Sequence, residues 1–393
     1  MDNTQAPSPA VLVRRASELA PLLRKNAQVA EDERRIPDDS LAAIAEAGLL
    51  KLRVPHRYGG YESDLRGVVD VIAELGKGDA SAAWTVAVYS ICSWLVGLFP
   101  DQAQDDVFAT PDVKICGLLS PGGAAEPTEG GYIVNGRWAF NTGALHADWN
   151  SLVAIAPAPD GSMWPVMALA PMSEIEIVDD WHTSGLRGSG SVTTVAKNVF
   201  VPAHRVIPMG PALQEFYASQ LNADNPVYRT PLLPTAATST VGTAVGLAKA
   251  AREVFFERLP GRKITYTTYE SQAHAPITHL QVSQAALRVD EAEFHAYRAA
   301  DLLDSKSKAG ESLTVAERAG LRADLGRAYE LAKEAVDIYA SASGASSIYQ
   351  DVPIQRIARD IQTLNLHAIL NPNNSYELYG RVLCGLEPNS LYI

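Results

Sequence analysis

Apolar residues recur at three- and four-residue spacing from the start of the chain, where Leu12, Ala16, Leu19 and Leu23 mark one helical face. Pro37 followed by Asp38 and Asp39 has the form of a second helix start. This patterning predicts helices from residue 9 to about 108, broken by turns such as Tyr58-Gly59-Gly60. Residues 80–99 are uncharged and nearly apolar, which in a globular chain means a helix buried on most of its surface. Trp84, Tyr89 and Trp94 point at different angles around it, and core packing is their plain reading, above all for Trp94.

From residue 113 to about 206 the period becomes that of strands. Residues 132–134 and 137–140 flank Asn135-Gly136, the strongest short hairpin signal. Further runs at 152–156, 166–170, 174–178 and 192–201 predict short strands. From about residue 227 the pattern is helical again. A segment over 235–259, rich in Ala, Gly, Thr and Ser, lets neighbouring backbones approach closely. Two long helices follow: Leu280, Leu287 and Phe294 repeat at seven, and Leu321, Leu325, Ala328, Ala332, Ala335 and Tyr339 trace one face. Between them KAGESLTVAERA reads as a charged loop entering a capped helix, so a helical bundle is expected. The result is an α+β chain divided at 1–112, 113–222 and 223–393, since 393 residues are long for a single layered core.

Lys and Arg number 33 against 45 Asp and Glu, a net charge of −12 with no basic cluster, so a nucleic-acid partner is not expected. Cys92, Cys116 and Cys384 are far apart and in apolar surroundings, which suits buried thiols in a reducing compartment and neither a disulfide framework nor a zinc site. The first ten residues lack a signal-peptide core, and no run reaches the ~18 apolar residues of a membrane span. The expectation is a cytoplasmic protein with no membrane partner.

Residues 181–206, WHTSGLRGSGSVTTVAKNVFVPAHRV, read as a loop feeding a strand. Gly185, Gly188 and Gly190 permit sharp turns and close approach to a ligand, while Arg187, Ser189 and Ser191 supply donors. Taken alone, a plain β-turn is the better reading. No phosphate loop, strand-linked G-x-G-x-x-G or G-x-S-x-G is present. His146 with Asp148, and Asp180 with His182, lack a third ligand at a suitable spacing, so no metal is expected.

The order of helices, β-region and bundle, taken with Gly261-Arg262-Lys263, Gln281, the 185–206 segment and YASASGASSIYQDVPIQRIARD over 339–360, resembles the acyl-CoA dehydrogenase superfamily. The resemblance spans about Ala10 to Leu391 and implies an N-terminal helical domain, a small central β-barrel or sandwich and a C-terminal four-helix bundle. The dehydrogenases of that superfamily carry a catalytic glutamate about eight residues beyond an Arg-Asp pair. Here Arg359-Asp360 is followed by IQTLNLHAILNPNNS, so His367 and Ala368 stand in that place, and Glu377 matches only with an insertion.

A histidine there resembles the oxygenases of two-component flavin-dependent monooxygenases. Phe140-Asn141-Thr142-Gly143 and His146-Ala147-Asp148-Trp149 match their F-S-S-G and H-A-x-W, and GLRGSGS is similar to their GLRGTGS. The resemblance implies a reduced flavin supplied by a separate NAD(P)H flavin reductase, FAD ahead of FMN. With O2 the flavin forms a C4a-hydroperoxide that hydroxylates a small aromatic. Thr142 would stand next to flavin N5, and His367, on a predicted helix, would hold the peroxide or take a substrate proton. Trp84, Phe140, Asn141, Gly143, Ser189, Ser191, Gly344, Ala345 and Ala368 would line the cofactor, although Ser343-Gly344-Ala345-Ser346 departs from the family's glycine pair.

Arg262 and Gln281 would reach the phosphate and adenine side across a subunit interface, implying a homotetramer. Tyr89, Trp94 and Ser120 are the candidate substrate contacts, the aromatics suiting a flat apolar ligand. The closing stretch LNPNNSYELYGRVLCGLEPN resembles the branch that oxidises indole-type heterocycles, which places indole ahead of phenol. Two other readings stay open, an acyl-CoA dehydrogenase and a non-catalytic assembly paralogue.

Overall fold

The stripe of Leu12, Ala16 and Leu23 is buried on α1 (Pro9–Glu33), and Asp38-Asp39 opens α2 (Asp38–Glu46). A computed structural model describes residues 6–158, 160–390 and 393 of the chain. Next come α3 (Leu65–Gly78), α4 (Ala80–Val96) and α5 (Asp101–Phe108). Asp64 caps α3 through the N–H of Gly67, and Asp79 caps α4 through those of Ser81 and Ala82. Every residue of α4 is buried, as its uncharged sequence predicts.

The β-region holds β1 (Ile115–Gly117), β2 (Gly123–Thr128), β3 (Gly131–Trp138), β4 (Trp149–Pro157), β5 (Met163–Pro171), β6 (Glu176–Val178), β7 (Thr193–Pro202) and β8 (Val206–Pro208). They form one sheet in the order β6-β7-β3-β2-β4-β5-β8, with β1 parallel to β4. The expected hairpin at Asn135-Gly136 is not a turn. β3 runs through it, paired with β2 on one side and β7 on the other, with a register shift at Val134/Gly136. Glycine is required there because a Cβ would lie 2.5 Å from the Trp138 ring and 2.6 Å from Gly123 Cα. The turn between β2 and β3 lies one strand earlier, at Glu129-Gly130. A pair that signals a hairpin in isolation is absorbed as a bulge once both edges of its strand are paired.

After α6 (Met209–Leu213), the chain forms α7 (Leu232–Arg258), α8 (Pro276–Ala309), α9 (Val315–Ala342), α10 (Pro353–Leu364) and α11 (Pro372–Leu383). α7 lies directly on α3, where a Cβ at Gly242 or Gly246 would come within 2.4 Å of the carbonyl oxygen of Val69 or Ala73. Thr314 and Glu317 form a capping box at the start of α9, and its predicted face from Leu321 to Tyr339 is buried. α8 departs from expectation, because Leu280, Leu287 and Phe294 are exposed while Ala285, Val289, Ala292, Ala296 and Leu303 are buried. The seven-residue repeat is thus an outer face, and the small residues fit α8 against its neighbours within the chain.

Cys92 and Cys116 are buried as read, whereas Cys384 is exposed. Among the described residues no helix is long and apolar enough to cross a membrane.

Candidate functional site

Three segments converge beside Trp84 on α4: the loop after β3, the glycine-rich loop before β7 and the turn after α10. Phe140 has a left-handed backbone (φ 64°) and is exposed, its ring edge-on to Trp181. Asn141 is fully buried and donates from Nδ2 to Asn150 Oδ1 at 3.0 Å and Thr194 Oγ1 at 2.9 Å. The Asn141 N–H bonds to Val192 O and that of Gly143 to Ser189 O, so the two loops are laced together by backbone. Side chains continue the lacing. The Trp84 indole N–H donates to Thr142 Oγ1 at 3.0 Å, Thr142 Oγ1 lies 2.8 Å from Ser191 Oγ, and Ser191 Oγ lies 2.8 Å from Ser189 Oγ.

The glycine-rich loop is tied to α10 and α1. Gly185 sits against α10 so closely that a Cβ would be 2.3 Å from Arg359 O, and Leu186, itself left-handed (φ 50°), gives its N–H to Asp360 Oδ1 at 2.6 Å. Arg187 donates to Glu31 O and Thr183 O, which ties the loop to α1 and removes it as a ligand donor. Sequence reasoning used Asp360 only as a landmark. Its role as the anchor of this loop depends on a contact 174 residues apart, which no local pattern shows.

Burial pushes the Asp360 carboxyl up to about 7, with Asp79 adding to the effect and the Leu186 N–H, Arg356 and Arg359 opposing it. Folding therefore favours the protonated acid. Its stabilising contribution is complete below the ordinary carboxyl value and is lost as pH rises through about 7. Asp360→Asn keeps an acceptor for Leu186, and its denaturation free energy is expected to fall less steeply than that of wild type between about pH 4 and pH 7. Denaturant titrations across that range check this, and identical slopes would refute it.

His367 lies in the turn after α10 rather than on a helix, because α10 ends at Leu364. Its ring stands edge-on to Trp84, with centroids 5.4 Å apart at 66°. Water reaches the ring, yet protein surrounds it closely enough that desolvation pushes its pKa down to about 4. The imidazole is neutral at neutral pH, and its nitrogens bond to none of the described residues. Ala368, next in the turn, is exposed, and Glu377 is exposed on α11.

A stripe of accessible atoms runs on from Trp84. On α4, Trp84, Val88 and Ile91 keep 6–9 % exposure while Thr85, Val86, Ala87 and Tyr89 keep 1 % or less. On α7, which packs against α4, Ala236, Ala237 and Thr240 answer with 6–9 %. This residual exposure falls at helical spacing on both helices, in a stripe that is apolar except for the Thr240 hydroxyl. Sequence reasoning missed it, although positions four and seven beyond Trp84 were the available signal.

Two candidate substrate contacts fall elsewhere. Trp94 is fully buried with its indole N–H on Val227 O at 2.7 Å, a core residue. Tyr89 is buried behind the site, where its hydroxyl holds Gly143 O at 2.6 Å. Ser120 is exposed in the bend between β1 and β2.

A second group forms where α7 ends. Arg262 Nη2 donates to Ser343 O at 2.5 Å, Arg258 Nη2 reaches Ser346 Oγ at 3.4 Å, and the missing Cβ of Gly344 leaves room for Arg262 beside it. Burial and then Arg258 push the Arg262 pKa down, and Arg258 Nη1 is buried without a partner. Two crowded guanidiniums, one with an unsatisfied donor, facing an exposed Gly344-Ala345 turn, fit an anion. Gln272, which sequence reasoning missed, braces this turn by donating to Ala342 O at 2.7 Å. Gln281 is half-buried on α8. Among the described residues no hydrogen bond, ion pair or ring contact joins this group to the one at Trp84.

Two family models match the chain: acyl-CoA dehydrogenase, N-terminal domain, over residues 15–111, and acyl-CoA dehydrogenase, C-terminal domain, over residues 238–372. The chain is 32 % identical over 378 residues to the oxygenase subunit HsaA of a flavin-dependent monooxygenase from Rhodococcus jostii (strain RHA1), covering 95 % of this chain and 98 % of the relative. It is 31 % identical to the oxygenase component of an FADH2-dependent resorcinol hydroxylase from Rhizobium sp. (strain MTP-10005), over 100 % of both. Among solved structures, XiaF from Streptomyces sp., in complex with FADH2 and glycerol, superimposes with a TM-score of 0.91 at 34 % identity over 97 % of each chain.

Proposed function

The chain belongs to the acyl-CoA dehydrogenase superfamily, among the oxygenase components of two-component flavin-dependent monooxygenases, and from that premise we propose that it hydroxylates a small aromatic held against the stripe on α4 and α7. The observation that carries this is the unbonded imidazole of His367 facing Trp84, at the position that the sequence resemblance assigns to the dehydrogenases' carboxylate.

Reduced flavin, when bound, supplies the activation of O2 and the oxygen atom transferred. The protein supplies the rest. Trp84, Thr142, Ser189 and Ser191 form the wall on which the ring would rest, and Arg258 and Arg262 would meet phosphate. Two guanidiniums suit the pyrophosphate of FAD better than the single phosphate of FMN. His367, beside Trp84 and with no ring nitrogen bonded to a described residue, would accept a proton from the ring carbon or hydroxyl of the substrate. The apolar residues of α4 and α7 would limit water at the reacting atoms once flavin and substrate are bound.

An indole-type heterocycle is placed ahead of a phenol. The stripe offers such a ring apolar contacts, and the closing residues resemble the indole-oxidising branch. The exposed α8 face of Leu280, Leu287 and Phe294 supports self-association, with Arg262 serving a neighbouring copy's flavin in a tetramer.

The test mixes the protein with chemically reduced FAD, isotopically labelled O2 and either indole or resorcinol, and follows product by mass spectrometry. Incorporation of one labelled oxygen atom is expected, more efficiently with indole. No labelled product from any aromatic, together with bleaching of bound oxidised flavin by an acyl-CoA, would refute the reading.

A further inference from the structure

We propose that Ser189 and Ser191 fix the direction of the Thr142 hydroxyl, so that Thr142 offers a ligand only a lone pair and thereby favours reduced over oxidised flavin. This rests on the reading above that the flavin ring lies against Thr142.

The direction follows from the identity of the two ends of the chain of hydroxyls. The carbonyl oxygen of Leu186 can only accept, so the Ser189 hydroxyl 2.7 Å away must donate to it. Ser189, its one proton committed, can only accept from Ser191. Ser191, its proton committed in turn, can only accept from Thr142. At the other end the Trp84 indole N–H can only donate, and it donates to Thr142. One assignment of the three hydroxyl protons satisfies all four contacts. It leaves Thr142 with a single unused capacity, an acceptor lone pair.

The terminus of the relay is held in place. Leu186 is fixed through its N–H by Asp360, and its carbonyl oxygen also accepts the Trp181 indole N–H at 3.0 Å and the Ser189 N–H at 3.1 Å. Thr142, Ser189 and Ser191 are all buried, so water offers no substitute partner if one of them turns away. Turning the Thr142 proton outward therefore costs a buried hydrogen bond.

The two redox states of a flavin differ at the nitrogen the family places here. Reduced flavin carries an N5–H donor, whereas oxidised flavin presents a lone pair. An acceptor-only hydroxyl bonds the first and meets the second lone pair to lone pair. Ser189 and Ser191 are in this sense positioning residues, acting on the flavin through Thr142.

Anaerobic titrations of the full-length protein with oxidised FAD and with chemically reduced FAD test this, read as the ratio of the two dissociation constants. In Ser191→Ala the Thr142 proton loses its acceptor and is free to turn toward oxidised flavin. The ratio is expected to move about tenfold toward the oxidised form, the value of one neutral hydrogen bond. This equals a midpoint potential lower by about 30 mV. Ser189→Ala, one step further from the ring, is expected to shift the ratio in the same sense, because Ser191 is then free to reverse. Ser191→Thr restores the hydroxyl and the wild-type ratio. A purely local packing role for either serine gives no such rescue and no shared direction. Unchanged ratios in both alanine variants, with Thr142→Val altering the ratio, would overturn the relay while leaving the flavin placement standing. A Thr142→Val protein whose affinities for both forms match wild type would overturn the placement, and the relay with it.

Discussion

His367→Ala is expected to lower hydroxylated product by about 10²- to 10⁴-fold, the range that a positioned acid or base contributes, while reduced FAD still binds. The imidazole faces Trp84 and bonds to none of the described residues, so its removal leaves no buried partner unpaired and the fold should persist. Oxygen consumption is expected to continue, with peroxide released in place of product. Product analysis beside an anaerobic flavin titration separates the two effects, and wild-type turnover in the variant would remove His367 from the mechanism. His367 is exposed, yet crowding by the surrounding protein pushes its pKa down to about 4. The product-against-pH profile is therefore expected to lack an inflection near the ordinary histidine value of ~6.5.

Arg262→Ala is expected to weaken FAD binding by roughly 10- to 100-fold, the loss of a charge-assisted hydrogen bond. The substitution relieves the repulsion from Arg258 but removes the guanidinium that reaches the Gly344 turn. FMN affinity is expected to fall less, since the second phosphate is what a second guanidinium would meet. Equilibrium titration with both flavins checks the prediction. Equal, unchanged affinities would assign Arg262 to bracing Ser343 alone.

The parts of the fold that were legible in the sequence are those in which a local period decides burial. α1, α4 and the α9 face formed as their apolar spacing required, because each buries a single continuous stripe or, for α4, its whole surface. Where burial depends on distant partners, the local signal misled. Asn135-Gly136 has the chemistry of a hairpin but lies inside β3, since β2 and β7 claim both edges of that strand. The heptad of Leu280, Leu287 and Phe294 has the spacing of a core seam but faces outward. Trp94 and Tyr89, also candidates for a substrate wall, keep their plain reading as core residues, because helix phase turns both inward and leaves Trp84 at the site.

By itself the sequence determined the three-part order of the chain, the glycine-rich loop and the residues Thr142, Ser189, Ser191, Arg262 and His367 as chemistry in need of a place. Hydrophobic period and turn chemistry, which act over a few residues, suffice for the order and the loop, whereas Thr142, Arg262 and His367 stand out only through the family resemblance. Only the tertiary structure decided which of them meet. It put Asp360 behind Leu186, lined three hydroxyls up between an obligatory donor and an obligatory acceptor, and left a slightly accessible stripe along Trp84, Val88 and Ile91. Those arrangements rest on contacts between segments tens to hundreds of residues apart. Such contacts are set by how the helices pack against the sheet, which no local stretch of sequence records.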